Sequence, residues 1–258
     1  MLQHLGETRS SLKPDHLLQT PDTFIRTPLP GAPGVDFVVH AGPRIGADFT
    51  MMTAEFSLSG TLADLPAGVQ RFLYVISGEI EVWLDSGGQT VDSEEGKHLL
   101  TSGGFLFVPA GMPHRIQATT AARALIIEKS FVVSDQKIPA AVAFVGQEAD
   151  LTAEPLGGDP GLQVKRMMPD GIAYDFAVNT MTYDPGASLA MVEVHIMEHG
   201  LLMLEGGGIY RLGDSWYPVA AGDFIWMAPC CPQWFGAIGK VPAKYLIYKD
   251  WYRHPLAK

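Results

Sequence analysis

Short apolar runs separated by turn residues dominate the chain. Each run is four or five residues long and rich in Val, Ile, Leu, Phe and Tyr, and Gly and Pro lie between the runs. Such runs predict the strands of a β-sandwich or barrel. The clearest lie at residues 72–76, 80–84, 105–108, 124–127, 201–204, 209–212, 224–227 and 245–248. No long segment with a helical period competes with them, and residues 165–170 are too short for more than one turn of helix. We therefore predict an all-β fold.

The apolar runs belong to a block of sequence that occurs twice. Residues 103–114 align with residues 222–233 without a gap. A second pair of segments lies upstream and a third downstream, in the same order in both copies: 73–78 with 201–206, and 122–128 with 243–249. Self-similarity of this kind indicates two tandem copies of one domain.

The junction between the copies is predicted near residues 135–155, where strand-forming residues give way to a polar stretch that contains Gly and Pro. We expect an N-terminal cupin-sized domain at 31–145 and a C-terminal domain of similar size at 146–258. Residues 1–30 are polar and contain proline, and we expect them to form an arm that packs on a neighbouring surface.

Composition and charge argue against several partners. The 258 residues include 18 Lys and Arg against 28 Asp and Glu, a formal net charge of −10. Nucleic-acid binding needs clustered basic residues, and an acidic protein is repelled by anionic membranes, so we expect neither partner. No apolar run approaches the roughly 20 residues that span a bilayer, and the N-terminus lacks the apolar stretch of a secretory signal. A disulfide between the adjacent Cys230 and Cys231 would be strained, so we expect two reduced thiols and a cytoplasmic protein.

A two-part motif identifies the repeated domain. Gly103, Pro109, Gly111 and His114 have the spacing of the second motif of the cupins, which are small double-sheet jelly rolls. The same block recurs in the second copy, each time after a strand–Gly–strand hairpin. The chain therefore resembles a bicupin over roughly residues 45–251, which implies two tandem double-stranded β-helix (jelly-roll) domains.

Metal-binding cupins carry His-x-His-x3–4-Glu in motif one and a further His in motif two. The second copy places Glu193, His195 and His199 at the first set of positions and Gln233 at the last. The first three share sequence parity and would face one way on a single strand. Such groups are costly inside a barrel unless something binds them. Nitrogen and oxygen donors without cysteine favour Mn²⁺, with Fe²⁺ as the nearest competitor. The alternative is that Glu193 and His195 are surface groups and His199 is a core histidine.

The first copy lacks this set of ligands. Gln70 and Arg71 stand where Glu198 and His199 stand in the second copy, and only His114 remains. One imidazole does not hold a catalytic metal, so we predict a metal-free scaffold with a structural or interfacial His114. The parity of Glu198 points it away from the metal site, as an outer or surface carboxylate.

The closest resemblance is to one family of bicupins, the (S)-ureidoglycine aminohydrolases. It rests on Glu193-Val-His195-Ile-Met-Glu-His199-Gly200, on Leu204-Glu-Gly-Gly-Gly-Ile-Tyr210, on the run from Trp216 to Asp223, and on residues 20–24 and 72–78 in the first half. This family releases ammonia and (S)-ureidoglycolate from (S)-ureidoglycine during purine-ring (allantoin) breakdown, with Mn²⁺ in the second cupin of an oligomer. The resemblance implies a homo-oligomer, Glu193, His195, His199 and Gln233 as Mn²⁺ ligands, and Tyr210, Tyr245 and Lys249 as substrate contacts.

The last predicted strand carries the candidate catalytic residue. Tyr245 and Lys249 have equal parity and can both face the barrel interior. Burial and a nearby dication disfavour a charged lysine, so Lys249 can act as a general acid–base, moving a proton between attacking water and departing ammonia. Alternatively Lys249 is an edge-strand lysine reaching solvent, and Tyr210 and Tyr245 are core residues. Cys230 and Cys231 are expected to be small apolar fillers.

Two other functions remain open. A bicupin dioxygenase would use Fe²⁺ with Glu193, His195 and His199 as a two-histidine, one-carboxylate set. A hydrolase needs no O₂, so anaerobic activity separates the two. A non-catalytic binding or seed-storage-like cupin is the third possibility, and metal analysis of the purified protein tests it.

Overall fold

The computed structural model describes residues 7–62, 64–84, 96–133 and 138–251. The described residues form two compact units, divided after Phe24 and after Asp150. We call residues 25–150 the N-terminal unit, and residues 7–24 together with 151–251 the C-terminal unit. Both are built from β-strands, and among the described residues no helix has the length and apolarity needed to cross a membrane.

The strands are numbered in chain order. The chain begins with β1 (Ser11–Leu12) and β2 (His16–Gln19). The N-terminal unit follows with β3 (Thr27–Pro28), β4 (Val35–Ala41), β5 (Thr50–Phe56), β6 (Thr61–Leu62), β7 (Val69–Ser77), β8 (Ile80–Leu84), β9 (Lys97–Leu100), β10 (Gly104–Val108), β11 (His114–Ala118), β12 (Ala122–Ser130) and β13 (Phe144–Gln147). The remaining strands are β14 (Glu154–Leu156), β15 (Asp159–Arg166), β16 (Phe176–Tyr183), β17 (Glu193–Val194), β18 (His199–Glu205), β19 (Gly207–Leu212), β20 (Ser215–Ala220), β21 (Phe224–Met227), β22 (Pro232–Ala237) and β23 (Ala243–Asp250).

Each unit consists of two antiparallel sheets with an apolar core. The N-terminal unit has one sheet in the order β13-β10-β7-β12-β5-β4-β3 and a smaller one in the order β6-β11-β8-β9. The C-terminal unit has the orders β1-β2-β21-β18-β23-β16-β15-β14 and β17-β22-β19-β20. Corresponding strands follow one another in the same spatial order, so the fold confirms the tandem bicupin predicted from the repeat.

The apolar runs form strands because both faces of the larger sheets are covered. In β10, Leu106 and Val108 belong to the core of the N-terminal unit. Phe105 and Phe107 point to the other face, where their rings lie 6.3 and 5.4 Å from Phe144. A strand buried on both faces needs apolar residues at successive positions, which is the run pattern seen in the sequence. All eight predicted runs lie within strands, and residues 165–170 form no helix, because β15 continues to Arg166.

One glycine turns the same hairpin in both copies. Gly78 lies between β7 and β8 at φ 80°, and Gly206 lies between β18 and β19 at φ 63°. A Cβ atom at either position would meet a backbone oxygen at 2.4 Å, from Ala121 or from Pro242. The positive φ and the close approach both require glycine, so each hairpin is fixed by its own sequence.

The N-terminal segment is part of the C-terminal unit. Strand β2 pairs with β21, the place that β13 takes beside β10 in the other unit. The Arg9 guanidinium holds the segment by donating two hydrogen bonds, of 2.6 and 2.9 Å, to the buried carboxylate of Asp223. Within the stretch expected to be an arm, residues 7–24 thus complete a sheet. Residues 25–30 belong to the N-terminal unit, where β3 pairs with β4.

Candidate metal centre and active site

A cavity of about 480 Å³ lies in the C-terminal unit, lined by strands of both of its sheets. Every side chain selected from the sequence as a ligand or substrate contact lines this cavity: Glu193, His195, His199, Tyr210, Gln233, Tyr245 and Lys249. The structure therefore brings all seven together, although they come from five separate strands and one loop.

Two of the four candidate ligands face each other across a strand pair. Glu193 on β17 is the direct partner of Gln233 on β22. Partners in an antiparallel pair direct their side chains to the same face, so the carboxylate and the amide both reach the cavity. Gln233 is buried, whereas Glu193 keeps a third of its side chain exposed.

The two histidines reach the site by a different route from the one predicted. A single strand through residues 193–199 is not formed, because β17 ends at Val194 and β18 begins at His199. Between them the chain passes from one sheet to the other, and the carbonyl of His195 accepts a hydrogen bond of 2.7 Å from the backbone of Cys230. The two imidazole centroids lie 5.0 Å apart. His195 Nε2 lies 3.1 Å from Glu193 Oε2.

His199 is prepared to act as a neutral ligand. Its Nδ1 donates a hydrogen bond of 2.6 Å to the backbone oxygen of Glu198. A carbonyl can only accept, so Nδ1 carries the proton and Nε2 keeps its lone pair. Burial lowers the pKa of His199 to about 3, and the nearby Lys249 and His195 act in the same direction. The imidazole is therefore neutral at neutral pH, with its single proton on Nδ1.

Buried tyrosines hold the remaining polar groups in place. Tyr210 Oη donates a hydrogen bond of 3.3 Å to Gln233 Oε1. Tyr245 Oη lies 2.7 Å from the hydroxyl of Tyr183, a residue that sequence reasoning did not single out. Burial raises the pKa of Tyr210 and of Tyr245 well above the usual range, so both hydroxyls stay protonated. They are fixed donors or acceptors and not bases.

Lys249 faces the cavity from β23. It pairs with His199 on one side and with Ala177 on the other. Burial lowers the pKa of its ammonium group, as expected from the sequence. Glu193 opposes this shift and Arg166 adds to it.

Glu198 points away from the cavity, as its parity predicted, and of the two expected places it takes the outer one and not the surface. Its side chain is buried, and its Oε2 accepts a hydrogen bond of 2.9 Å from the indole Nε1 of Trp226. It does not line the cavity. Because it directly precedes His199, this contact fixes the chain next to that imidazole.

The donor set fits a divalent metal ion. Two imidazoles, one carboxylate and one amide line the cavity without a thiol, a combination that suits Mn²⁺ or Fe²⁺ better than a structural zinc site. Neighbouring ligands of an octahedral ion with bonds of about 2.1 Å lie roughly 3 Å apart. The 3.1 Å between His195 Nε2 and Glu193 Oε2 has this value.

In the N-terminal unit an ion-pair cluster stands in place of these ligands. Arg71 donates 2.9 and 2.7 Å hydrogen bonds from Nε and Nη2 to Glu128, and one of 2.9 Å from Nη1 to His114 Nε2. His114 Nδ1 in turn donates to the backbone oxygen of Met112. Arg71, His114 and Glu128 occupy the positions of His199, Gln233 and Lys249 in the repeat. The three polar groups are bonded to one another, in keeping with a structural role for His114.

A further cluster, outside the cavity, also brings together three residue types that bind metals. Asp15, His16 and Cys231 place ligand atoms within 4.8 Å of one another. Each polar group already has a protein partner: His16 bonds Asp15 at 2.9 Å and the hydroxyl of Tyr217 at 2.9 Å. Burial raises the pKa of the Cys231 thiol to about 11, which keeps it protonated. The cluster is a set of hydrogen bonds that joins β2 to the rest of its unit.

Several residues that line the cavity were not found from the sequence. Asn179 and Met181 reach it from β16, Arg166 from the end of β15, and Trp251 from beyond β23. None belongs to a motif with fixed spacing. The pairing of β16 with β23 brings Asn179 and Met181 to the site, and the pairing of β15 with β16 brings Arg166. Only the folded sheet displays these pairings.

Comparisons with known proteins agree with this fold. The cupin domain family matches residues 67–128 and 179–248. A protein of Oryza sativa subsp. japonica named "Probable (S)-ureidoglycine aminohydrolase" is 38% identical over 97% of this chain and 78% of its own length. The (S)-ureidoglycine aminohydrolase of Arabidopsis thaliana is 34% identical over 97% of this chain and 80% of its own length. The crystal structure of protein Ylba from E. coli superimposes with a TM-score of 0.81 at 25% identity, covering 95% of each chain. The chain is therefore an enzyme of the (S)-ureidoglycine aminohydrolase family, within the cupins.

Proposed function

We propose that this chain is an Mn²⁺-dependent hydrolase that converts (S)-ureidoglycine and water to (S)-ureidoglycolate and ammonia in purine (allantoin) breakdown. One observation carries the proposal: two imidazoles, a carboxylate, an amide and a lysine line a single cavity. Relatives at 38% and 34% identity carry the name of this enzyme.

Glu193, His195, His199 and Gln233 would hold the ion. Their nitrogen and oxygen donors, without sulfur, support Mn²⁺ over softer metals. When bound, the ion supplies an anchor for an anionic substrate and polarises the groups attached to it. The hydrogen bond from Tyr210 orients the amide of Gln233, and the one from His199 Nδ1 to the Glu198 carbonyl fixes that imidazole.

Lys249 would carry the proton transfer. In the reaction the bond between the central carbon and the amino nitrogen breaks, and a bond forms between that carbon and the oxygen of water. The water loses a proton and the departing nitrogen gains one. An amine whose pKa is lowered by burial can do both at neutral pH. Tyr245, held by Tyr183, would contact the substrate from the cavity wall.

The deciding experiment measures ammonia release and product chirality with metal-stripped protein, before and after Mn²⁺ is restored. Restoration should yield (S)-ureidoglycolate well above the spontaneous background, with or without O₂. Glu193, His195 and His199 also form the set used by Fe²⁺ dioxygenases. Turnover that requires Fe²⁺ and O₂ and leaves ureidoglycine unchanged would favour that function.

Lys249 has a matched control on the same strand. We expect Lys249→Ala to lower kcat by about 10²- to 10⁴-fold, the range for loss of a general acid–base, with Mn²⁺ content unchanged. Lys244→Ala, which removes a lysine beside Glu205 and outside the cavity, should leave kcat unchanged. Full stereospecific turnover by Lys249→Ala would remove the proposed role.

We also propose that the enzyme acts in the cytoplasm as a homo-oligomer. The free thiols of Cys230 and Cys231 support a reducing compartment. Exposed apolar side chains support self-association. Among them, Val194 lies in the edge strand β17 and Met191 shortly before it. Light scattering of the purified protein tests the assembly, and a mass of one chain would contradict it.

A further inference from the structure

An amide side chain faces the cavity without a protein partner. Asn179 lies in the middle of β16 and lines the cavity, with 8% of its surface exposed. Among the described residues, none forms a hydrogen bond with its side chain. The amide opens onto the cavity, so a ligand that enters and displaces water there must complete its hydrogen bonds.

The surroundings of Asn179 set it apart from the charged groups. Along β16 the neighbours on the same face are Ala177, opposite Lys249, and Met181, opposite Tyr245. Asn179 itself is paired with Ile247. Among the described residues of β16, Asn179 is thus the one with a polar side chain that lines the cavity. It lies between the strand positions opposite Lys249 and Tyr245.

The chemistry of an amide selects its ligand. Asparagine offers one acceptor oxygen and two donor N–H groups and carries no charge. A ureido group presents a carbonyl acceptor and N–H donors, which match an amide in both directions. A carboxylate or an ammonium would be better served by Lys249, Arg166 or Glu193, all of which line the same cavity.

We propose that Asn179 binds the ureido group of the substrate and is a further specificity-determining residue. The inference rests on the proposed function for the identity of the substrate. It adds the contact that distinguishes a ureido acid from other small α-substituted carboxylates. Discrimination arises because a substrate without this group would leave the buried amide unpaired.

A pair of non-reacting ligands tests the contact by binding alone. N-carbamoylglycine carries the ureido group and the carboxylate but no leaving amine, and N-acetylglycine replaces the terminal NH₂ with a methyl group. With Mn²⁺-loaded full-length protein, calorimetry should show at least about tenfold tighter binding of N-carbamoylglycine, the effect of one or two hydrogen bonds. Asn179→Leu should abolish the preference. Thr182→Ala, on the same strand but outside the cavity, should retain it.

The outcomes separate the subsite from the overall function. The proposal is overturned if the wild type does not prefer N-carbamoylglycine, including no binding of either ligand, or if the preference survives in Asn179→Leu. Asn179→Ala provides the same test if the leucine variant does not fold. With (S)-ureidoglycine, Asn179→Ala should raise KM about tenfold or more, with Mn²⁺ content unchanged. An unchanged KM rejects the subsite alone. Absent turnover in a wild type that still prefers N-carbamoylglycine rejects the proposed function alone.

Discussion

Cys230 holds a backbone conformation that its counterpart in the other copy reaches with glycine. Its φ is 64°, and Gly111, at the equivalent position, has φ 80°. A side chain in this left-handed region costs about 1–2 kcal/mol, while glycine adopts it freely. The strain lies beside the candidate metal ligands, since the Cys230 backbone donates a hydrogen bond to the carbonyl of His195.

We predict that Cys230→Gly stabilises the protein by about 0.5–1 kcal/mol, the relief of strain less the greater freedom of glycine in the unfolded chain. Denaturant unfolding measures the change. Cys231→Gly is the control: this neighbour is buried and its loss should destabilise by about 1–2 kcal/mol. A Cys230→Gly protein less stable than the wild type would show that the thiol contributes more than the strain costs.

His40 makes the N-terminal unit sensitive to acid. It is buried, and burial lowers its pKa to about 3, with Arg123 acting in the same direction. The unfolded chain takes up this proton near pH 6.5 and the folded chain does not, so stability is full above about pH 6.5 and falls toward pH 3. The loss from this residue is at most about 5 kcal/mol.

Replacing His40 should flatten this pH dependence. We expect the unfolding free energy of His40→Phe to fall less steeply between pH 6.5 and pH 4 than that of the wild type, even if its value at pH 7 is lower. His98→Phe, on the partly exposed strand β9, should keep the wild-type slope. Equal slopes in all three proteins would show that another group controls the acid transition.

Residue identity alone predicted some site members and not others. The candidate ligands, which line one cavity, could be selected from the sequence because the repeat aligns Gln233 with His114 and a motif spacing gives Glu193, His195 and His199. Asn179 and Tyr183 belong to no motif, and their approach to Lys249 and Tyr245 depends on the register between β16 and β23.

At the scale of elements, one ion pair is among the contacts that hold the N-terminal segment in its unit. Asp223 is fully buried, and Arg9 neutralises it with two hydrogen bonds while keeping 39% of its own side chain exposed. Removing one partner of such a pair leaves an uncompensated buried charge, which is costly.

Arg9→Ala should therefore destabilise the C-terminal unit by about 2 kcal/mol, below the range for fully buried pairs because Arg9 is partly solvated. Thermal unfolding and hydrogen exchange in β2 and β21 are the measurements. Arg26→Ala breaks a similar bidentate pair with Glu55 in which both side chains are accessible, and should cost less than about 1 kcal/mol. Equal losses would mean that burial of Asp223 has no special effect.

The elements also show where local pattern stops being informative. Six of the eight apolar runs lie in strands of the larger sheets that are buried on both faces and have a continuous apolar signature. The runs in β8 and β19 belong to the smaller sheets and mix buried with partly buried positions. Strand β2 has the short sequence His-Leu-Leu-Gln and pairs with a strand more than 200 residues away, so no local signal marks it. The parity argument for residues 193–199 assumed a single strand. That assumption was wrong, because the chain leaves the strand conformation after Val194.

Across the whole molecule, the two copies place chemically different groups at one equivalent site. The C-terminal unit has its candidate metal ligands there, whereas the N-terminal unit has the guanidinium of Arg71, bonded to Glu128 and His114. A positive group in that place repels a cation.

Metal analysis should accordingly find one Mn²⁺ per chain. Glu193→Ala should reduce the content to near zero, since it removes the single carboxylate of the proposed set. His114→Ala, the matched change in the other copy, should leave one ion bound while lowering stability through the lost contact with Arg71. Two ions per chain, or loss of metal in His114→Ala, would contradict the assignment of one site.

The position of β2 also has a consequence for how the protein is made. Its partner in the sheet, Phe224–Met227, is synthesised more than 200 residues after it. At translation rates of about 5–20 residues per second, the nascent strand waits roughly 10 to 40 s for that partner. The N-terminal unit, which lies between the two strands in the sequence, can fold during this interval, whereas the C-terminal unit is completed by a segment made well before its other strands.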